Sequence, residues 1–257
     1  MQFNRREFLQ LTVASVTTGI LMPAALAGTS DASGIKAIAF DAFPIFDARP
    51  IFKLAETLFP EKGTALGEAW RTRQFEYAWL RSLSQNYADF WKVTEDALVF
   101  SAKMLKLEMT AQEQAELMQA YLGLKPWPEV AAALATLKNS GFRLAILSNF
   151  TPQMLDAAIQ NSNLGAVFEH VISTDEAKTF KPAPRAYELA LDAFKLDREK
   201  ILFVPHAGWD AAGAKWFGHR TFWVNRMNLP AEELGVVPDA TGKNLNDLVQ
   251  YVGASAK

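Results

Sequence analysis

The sequence predicts an α/β fold in which helices flank a parallel sheet and an all-helical segment is inserted after the first strand. Two observations support this prediction. Short apolar runs alternate with amphipathic stretches from residue 126 onward, the order expected of a parallel sheet with helical crossovers. Residues 50–125 contain no convincing strand, but they place apolar side chains at helical spacing.

The N-terminal segment has the layout of an export signal. Arg5 and Arg6 precede an apolar stretch over 11–21, and the small-x-small sequence Ala25-Leu26-Ala27 follows. This order is typical of twin-arginine signals, so we predict export by the twin-arginine machinery, cleavage after Ala27 and a periplasmic protein. A soluble helix or a membrane anchor is the alternative, but the stretch is short for a span and rich in Thr, Ser and Gly.

The composition excludes several classes of function. The chain has 257 residues, half of them hydrophobic, with no cysteine and a formal net charge of −2. Without cysteine it has no disulfide, thiol nucleophile or thiolate metal ligand. The near-neutral charge gives no indication of a nucleic-acid partner. Because the three histidines are scattered, we expect no dedicated zinc site.

The first strand and the helical insert fill the first half of the mature chain. The apolar run 35–40 predicts a short buried strand, and Asp41 follows it directly. A cap of helices is predicted over 49–125. Its amphipathic stretches lie at about 65–83, 86–106 and 111–122. Trp127 lies between two prolines, which mark the return to the core. The core domain is therefore assigned to residues 35–48 and 126–250.

The remaining core is predicted to alternate strand and helix. The strands are predicted at 143–147, in the region 167–172, at 201–204 and at 221–224. The helices are predicted at 129–139, 153–161, 184–194 and 211–217. Thr151 and Pro152 suit the N-cap and the first position of the helix that follows them.

Polar side chains follow the ends of successive predicted strands. They are Asp41, then Ser148 and Asn149, then Lys181 on a connecting loop, then Asp210. Because the carboxyl ends of parallel strands lie at one edge of a sheet, these side chains can converge. Two aspartates around a lysine suit covalent catalysis, in which Asp41 attacks, Lys181 neutralises charge and Asp210 orients Lys181 or a water. The alternative is that Asp41 and Asp210 only cap helices.

Five sequence blocks carry a family resemblance. They are Ile38-Ala39-Phe40-Asp41; Trp70-Arg71 with 76–83; 144–149; Lys181-Pro182 with 187–190; and 201–204 with 209–211. In these blocks, over about residues 35–245, the chain resembles the haloacid dehalogenase superfamily and, within it, the (S)-2-haloacid dehalogenases. The resemblance implies a modified Rossmann-like core with a helical cap, no metal or other cofactor, and a homodimer as a possible assembly.

The same resemblance implies a reaction on a small halogenated carboxylic acid. Asp41 would displace halide from C2 of an (S)-2-haloacid, and water would then cleave the aspartyl ester to release an (R)-2-hydroxyacid. Arg71 would meet the halide beside Asn149, because a guanidinium is a diffuse cation. Ser148 would hold the substrate carboxylate or the Asp41 oxygens. The polar side would be completed by Lys181 and Tyr187, and the apolar side by Phe43, Phe75, Phe90 and Trp209.

The chain departs from the family pattern after Asp41 and after the fourth strand. Pro44 and Ile45 stand where the family has Gly and Thr, and Pro205 and Ala207 stand where it has Ser and Asn. In the family the Ser and the Asn help to hold the hydrolytic water, so their loss affects the second half-reaction. His206 lies between them and is a candidate base for that water.

These departures leave two alternatives to efficient dehalogenation. One is a degenerate member that binds or traps a small carboxylate without turnover. The other is a magnesium-dependent phosphatase of the same superfamily. That chemistry needs an acid two residues after the nucleophile and another after the fourth strand, where this chain has Phe43 and His206.

Overall fold

The computed structural model describes residues 34–254. The strands are β1 (Ala37–Phe40), β2 (Phe46–Asp47), β3 (Lys125–Pro126), β4 (Arg143–Ser148), β5 (His170–Ser173), β6 (Ile201–Val204), β7 (Arg220–Val224) and β8 (Ala240–Gly242). Six of them form one sheet in the order β5-β4-β1-β6-β7-β8, and every neighbouring pair is parallel. The predicted α/β fold is therefore confirmed, whereas the predicted export signal over 1–27 lies outside the described residues.

Ten α-helices lie in the described part of the chain. They are α1 (Ala42–Ile45), α2 (Arg49–Leu58), α3 (Gly63–Leu83), α4 (Phe90–Met104), α5 (Ala111–Ala120), α6 (Val130–Asn139), α7 (Pro152–Ser162), α8 (Pro184–Phe194), α9 (Gly208–Phe217) and α10 (Leu245–Ala254). As predicted, the Thr151 side chain caps α7 and Pro152 occupies its first position. Across residues 34–254, no helix combines the length and apolar character needed to cross a membrane.

The insert consists of α2 to α5 and shares its hydrophobic core with the sheet. Trp70 of α3 and Val93 of α4 belong to the same buried cluster as Ile38 and Phe40 of β1. Both linkers to the insert meet in the antiparallel pair of β2 and β3. The insert therefore packs directly over the carboxyl end of β1, where Asp41 lies.

Several boundaries differ from the sequence prediction. The segment 50–125 was expected to lack strands, but Lys125 belongs to β3, a two-residue pairing that hydrophobic periodicity is too coarse to detect. Helix α2 precedes the first predicted cap helix, and α10 follows the last predicted core element. Helix α9 begins at Gly208 with Ala207 at its N-cap, so Asp210 lies inside the first turn. The alternative in which Asp210 caps this helix was therefore wrong.

Candidate active site

Asp41, Lys181 and Asp210 meet at the carboxyl edge of the sheet. The Lys181 ammonium donates to Asp41 Oδ1 at 2.8 Å and to Asp210 Oδ2 at 2.7 Å. The side chain of Asp41 is 12% exposed, whereas those of Lys181 and Asp210 are 1% and 2% exposed. Two carboxylates share one ammonium, so one negative charge is left in excess in a buried site. Asp41 is the member of this trio that an incoming molecule can reach.

Asp41 both caps a helix and faces Lys181. Its Oδ2 accepts a hydrogen bond of 3.2 Å from the backbone N–H of Phe43, which caps the short helix α1. Its Oδ1 is bound to Lys181. The two interpretations of this carboxylate are thus compatible, because each uses a different oxygen. The cap holds the side chain at the end of β1, and the Oδ2 lone pairs that the cap leaves free remain available for attack.

Two neighbouring side chains hold the trio in place. The side-chain carbonyl of Asn149 accepts from the Lys181 backbone N–H at 3.0 Å, which fixes the loop that carries the ammonium. The Tyr187 hydroxyl donates to Asp210 Oδ1 at 2.7 Å. Tyr187 is fully buried and lies behind Asp210, away from the cavity wall. It therefore contacts the trio rather than the space a substrate would occupy.

Burial and charge set the protonation of these groups. Complete burial raises the pKa of Asp210 to about 6, although the Lys181 ammonium opposes this rise. Burial alone would lower the pKa of Lys181, but the carboxylates of Asp210 and Asp41 raise it above its usual value. Burial and the Asp210 charge raise the pKa of Tyr187 well above its usual range, so its hydroxyl remains a donor. At neutral pH Lys181 is charged and Asp210 is mostly ionised.

A small cavity, called the Asp41 cavity here, adjoins the nucleophile candidate. It has a volume of about 20 Å³. Its walls are Phe43, Phe75, Phe90, Phe150 and Trp209, with Asp41, Ser148, Asn149, Lys181, Ala207 and Asp210. All four aromatic residues predicted for the apolar side thus lie here, together with Ser148, whose hydroxyl accepts from the Phe150 N–H at 3.2 Å. Within residues 34–254, no group of three His, Asp or Glu side chains is arranged to hold a metal ion.

Arg71, predicted to meet the halide, lines a different space. This space, called the chamber here, has a volume of about 210 Å³. Phe43, Phe75 and Ala207 border both the chamber and the Asp41 cavity. No carboxylate among residues 34–254 pairs with the Arg71 guanidinium, which leaves its N–H groups available to an anion. Arg71 therefore lies on the chamber side of these shared walls.

His206 also lines the chamber, next to the shared wall. Its ring centroid lies 6.4 Å from that of Phe43. Burial lowers the pKa of His206 to about 4, and the Arg71 and Arg226 charges act in the same direction against the opposing effect of Asp41. The imidazole is therefore neutral at neutral pH. Its Nδ1 is buried and has no hydrogen-bond partner in the described part of the chain, so one ring lone pair is unused.

The sequence prediction missed two residues that hold helix α1, which follows Asp41. The Trp127 indole N–H donates to the carbonyl of Phe43 at 3.1 Å, and its backbone N–H donates to that of Ile45 at 3.0 Å. Arg226 donates to the Pro44 carbonyl at 2.9 Å. Three consecutive carbonyls are thus held by two residues. The available signals were a tryptophan between two prolines and an arginine just after the last predicted strand.

Comparisons with known proteins agree with this geometry. The model of the haloacid dehalogenase-like hydrolase family matches residues 24–218. The (S)-2-haloacid dehalogenase of Pseudomonas sp. strain YL is 42% identical over 223 residues, which cover 86% of this chain and 96% of the relative.

Solved structures of L-2-haloacid dehalogenases superpose on most of this chain. The L-2-haloacid dehalogenase RSc1362 superposes with a TM-score of 0.84 at 43% identity, over 85% of this chain and 99% of that one. The L-2-haloacid dehalogenase from Xanthobacter autotrophicus with chloropropionic acid covalently bound superposes with a TM-score of 0.78 at 34% identity, over 85% of this chain and 98% of that one.

Proposed function

The chain belongs to the haloacid dehalogenase-like hydrolases and, within them, to the (S)-2-haloacid dehalogenases, and from this premise we propose that it hydrolyses the carbon–halogen bond of small (S)-2-haloacids. The products are an (R)-2-hydroxyacid, a halide ion and a proton. The observation that carries the proposal is the buried Lys181 bridge between Asp41 and Asp210 beside an aromatic-walled cavity.

In the first half-reaction Asp41 is the nucleophile. A carboxylate oxygen of Asp41 forms a bond to C2 while the C2–halogen bond breaks and its electron pair leaves with the halide, which inverts C2. Lys181 divides its charge between two carboxylates, so the negative charge of Asp41 is only partly neutralised. The aromatic walls limit the water around this charge, which favours its attack on carbon. Arg71 provides the free cation for the departing halide.

In the second half-reaction water attacks the carbonyl carbon of the Asp41 ester. The bond between this carbon and the ester oxygen breaks, the hydroxyacid leaves with that oxygen, and Asp41 retains an oxygen from water. The neutral imidazole of His206 accepts the proton of the water. This role is supported by the position of His206 beside the shared wall, by its neutral imidazole and by its unpaired Nδ1.

Halide release from (S)-2-chloropropionate tests the proposal. The wild-type protein releases chloride over many turnovers, whereas Asp41→Asn releases none above background. Asp156→Asn, at an exposed position on α7, is the matched control and keeps the wild-type rate. Absence of chloride release by the wild-type protein, in an assay where a known dehalogenase is active, refutes the proposal.

Labelled water separates turnover from a stalled ester. In a single turnover in ¹⁸O-water the label enters Asp41 and not the hydroxyacid. In His206→Ala the aspartyl ester accumulates and is detected by intact-mass spectrometry, because ester formation continues without the proton acceptor. An ester that persists in the wild-type protein indicates that the chain traps the acid without turnover.

We also propose that the protein acts in the periplasm after twin-arginine export. The proposal is supported by Arg5 and Arg6, by the apolar stretch after them and by the cleavage site after Ala27. Replacement of both arginines by lysine should leave the uncleaved precursor in the cytoplasm, as measured by fractionation and mass spectrometry. Lys36→Arg, beyond the signal, should be exported normally. Periplasmic cleaved protein from the double variant contradicts the proposal.

We further propose a homodimer formed through the helical cap. Leu80 and Leu83 on α3 are 58% and 83% exposed, and Phe100 on α4 is 37% exposed, so the cap presents apolar side chains that a second copy would cover. Light scattering should give twice the monomer mass, and Leu83→Glu should reduce it to the monomer mass. Leu229→Glu, at an exposed leucine outside the cap, should remain dimeric. A monomeric wild-type protein contradicts the proposal.

A further inference from the structure

The Asp41 cavity is too small for a whole substrate. Its volume of about 20 Å³ accommodates one water. Even the smallest 2-haloacid has a carboxylate, a carbon and a halogen. The chamber is about ten times larger, at about 210 Å³. Because both spaces are bordered by Phe43, Phe75 and Ala207, the room for the remainder of a substrate at Asp41 lies in the chamber.

The chamber leads to solvent. Met227 at its edge is 59% exposed, and Arg49, which also lines it, is exposed. The Asp41 cavity has no comparably exposed residue in its wall. A substrate that reaches Asp41 through the chamber leaves its trailing end there.

Most polar groups of the chamber are already bonded within the protein. Gln74 donates to Thr94 Oγ1 at 2.6 Å, Arg226 to Glu129 at 2.6 Å, and Arg49 to Asp47 at 2.7 Å. The rest of the wall is largely aromatic, with Phe46, Phe52, Tyr121 and Trp127 beside the shared Phe43 and Phe75. Such a wall favours an apolar occupant.

The size of the chamber and the unpaired guanidinium of Arg71 point to an aromatic group. A dry apolar cavity of about 150 Å³ is sufficient to bind benzene, so the chamber is large enough for a phenyl ring. The flat face of the Arg71 guanidinium can stack on an aromatic ring while its N–H edge remains available to the halide. The same contact occurs elsewhere in this cap, where Arg73 lies 4.2 Å over the ring of Phe100.

We propose that the chamber binds an aryl substituent on C3 of the substrate, so that arylmethyl (S)-2-haloacids are substrates of this enzyme. The inference rests on the proposed hydrolysis of 2-haloacids and names the substrate class of that same site. In this arrangement C2 lies at Asp41, and the substituent passes Phe43, Phe75 and Ala207 into the chamber.

Filling the chamber tests the inference. Ala48 lines the chamber but not the Asp41 cavity, so Ala48→Phe reduces the room for the substituent. The measured quantity is the ratio of kcat/KM for (S)-2-chloro-3-phenylpropionate to that for (S)-2-chloropropionate. We expect a ratio of at least about one in the wild-type protein and a fall of about tenfold or more in Ala48→Phe. Ala65→Phe, at an exposed cap position outside both cavities, should keep the wild-type ratio.

A binding measurement separates this inference from the proposed hydrolysis. The tryptophan fluorescence of the protein, to which Trp127 in the chamber wall contributes, reports binding of the unreactive acids 3-phenylpropionate and propionate. We expect the phenyl acid to bind the wild-type protein at least about tenfold more tightly, with the advantage lost in Ala48→Phe. Equal binding of the two acids, or turnover of chloropropionate alone, overturns the inference and leaves the hydrolysis intact. Preferred binding of the phenyl acid without halide release from either substrate overturns the hydrolysis alone.

Discussion

Replacement of Lys181 by methionine tests how charge is balanced at the site. Methionine has a similar length but no charge, so the variant leaves Asp41 and Asp210 buried without their shared cation. Removing one partner of a buried ion pair costs about 3–5 kcal/mol in the free energy of unfolding. For a chain of this size, this corresponds to a fall of roughly 6–20 °C in Tm. Halide release should fall by at least about 100-fold, because the nucleophile also loses its positioning contact.

The loss of stability in Lys181→Met should depend on pH, and the direction of this dependence follows from the pKa of Asp210. Burial already raises the pKa of Asp210 to about 6 in the presence of Lys181, and loss of the ammonium removes an effect that lowers it. A carboxyl group whose folded-state pKa is raised stabilises the fold at low pH and loses that contribution as pH rises through the folded-state pKa. The stability difference from wild type should therefore widen between about pH 5 and pH 8.

Thermal unfolding at both pH values, followed by circular dichroism, measures this prediction. Lys178→Met is the matched control, because Lys178 forms an ion pair of 2.8 Å with Asp175 but is 63% exposed. Its loss should cost about 1 kcal/mol or less. The double variant Lys181→Met with Asp210→Asn should regain about half of the lost stability, since the excess buried charge is removed. Equal Tm losses for the two lysine variants, or a loss that does not increase with pH, would refute the reasoning.

Three further predictions concern the groups around the nucleophile. The rate of halide release should fall as pH drops through about 6, because Asp210, with a pKa of about 6, must be ionised to share the Lys181 charge. A rate that stays constant from neutral pH to pH 5 would contradict this prediction. Tyr187→Phe removes a hydrogen-bond donor that lowers the pKa of Asp210, so the fall in rate at low pH should begin at a higher pH. The free energy of unfolding should fall by about 1.5–3 kcal/mol. Tyr77→Phe, the control, should change neither quantity. Trp127→Phe removes the N–H that holds the Phe43 carbonyl, so kcat should fall about tenfold with little change in KM. Trp216→Phe, at a residue 58% exposed, should match wild type, and equal kcat in both tryptophan variants would show that the Trp127 contact does not position helix α1.

Much of the fold was predictable because its signals are local. Apolar runs and amphipathic stretches predicted the core strands, the cap and most helices, since burial patterns repeat at short sequence spacing. The prediction was incomplete where the signal was short or shifted. The two-residue strand β3 depends on pairing with β2, which is distant in sequence. Helix α9 begins three residues before its predicted start because Gly208, Trp209 and Asp210 belong to its first turn.

The sequence alone determined which chemistry-bearing residues collect at one edge of the sheet. Asp41, Asn149 and Asp210 all follow strands that pair in parallel, and parallel strands bring their carboxyl ends to the same side. Lys181, on a connecting loop, could be placed near them for the same reason. The ordered blocks also indicated the family, which the comparisons show.

Only the tertiary structure decided what each side chain contacts. It places the Lys181 ammonium between two carboxylates, Tyr187 behind Asp210 rather than in the cavity wall, and Arg71 in the chamber. It also shows that Trp127 donates hydrogen bonds to the backbone carbonyls of Phe43 and Ile45 in helix α1. Distances, burial and cavity volume depend on how segments far apart in sequence pack together, and no local periodicity encodes them.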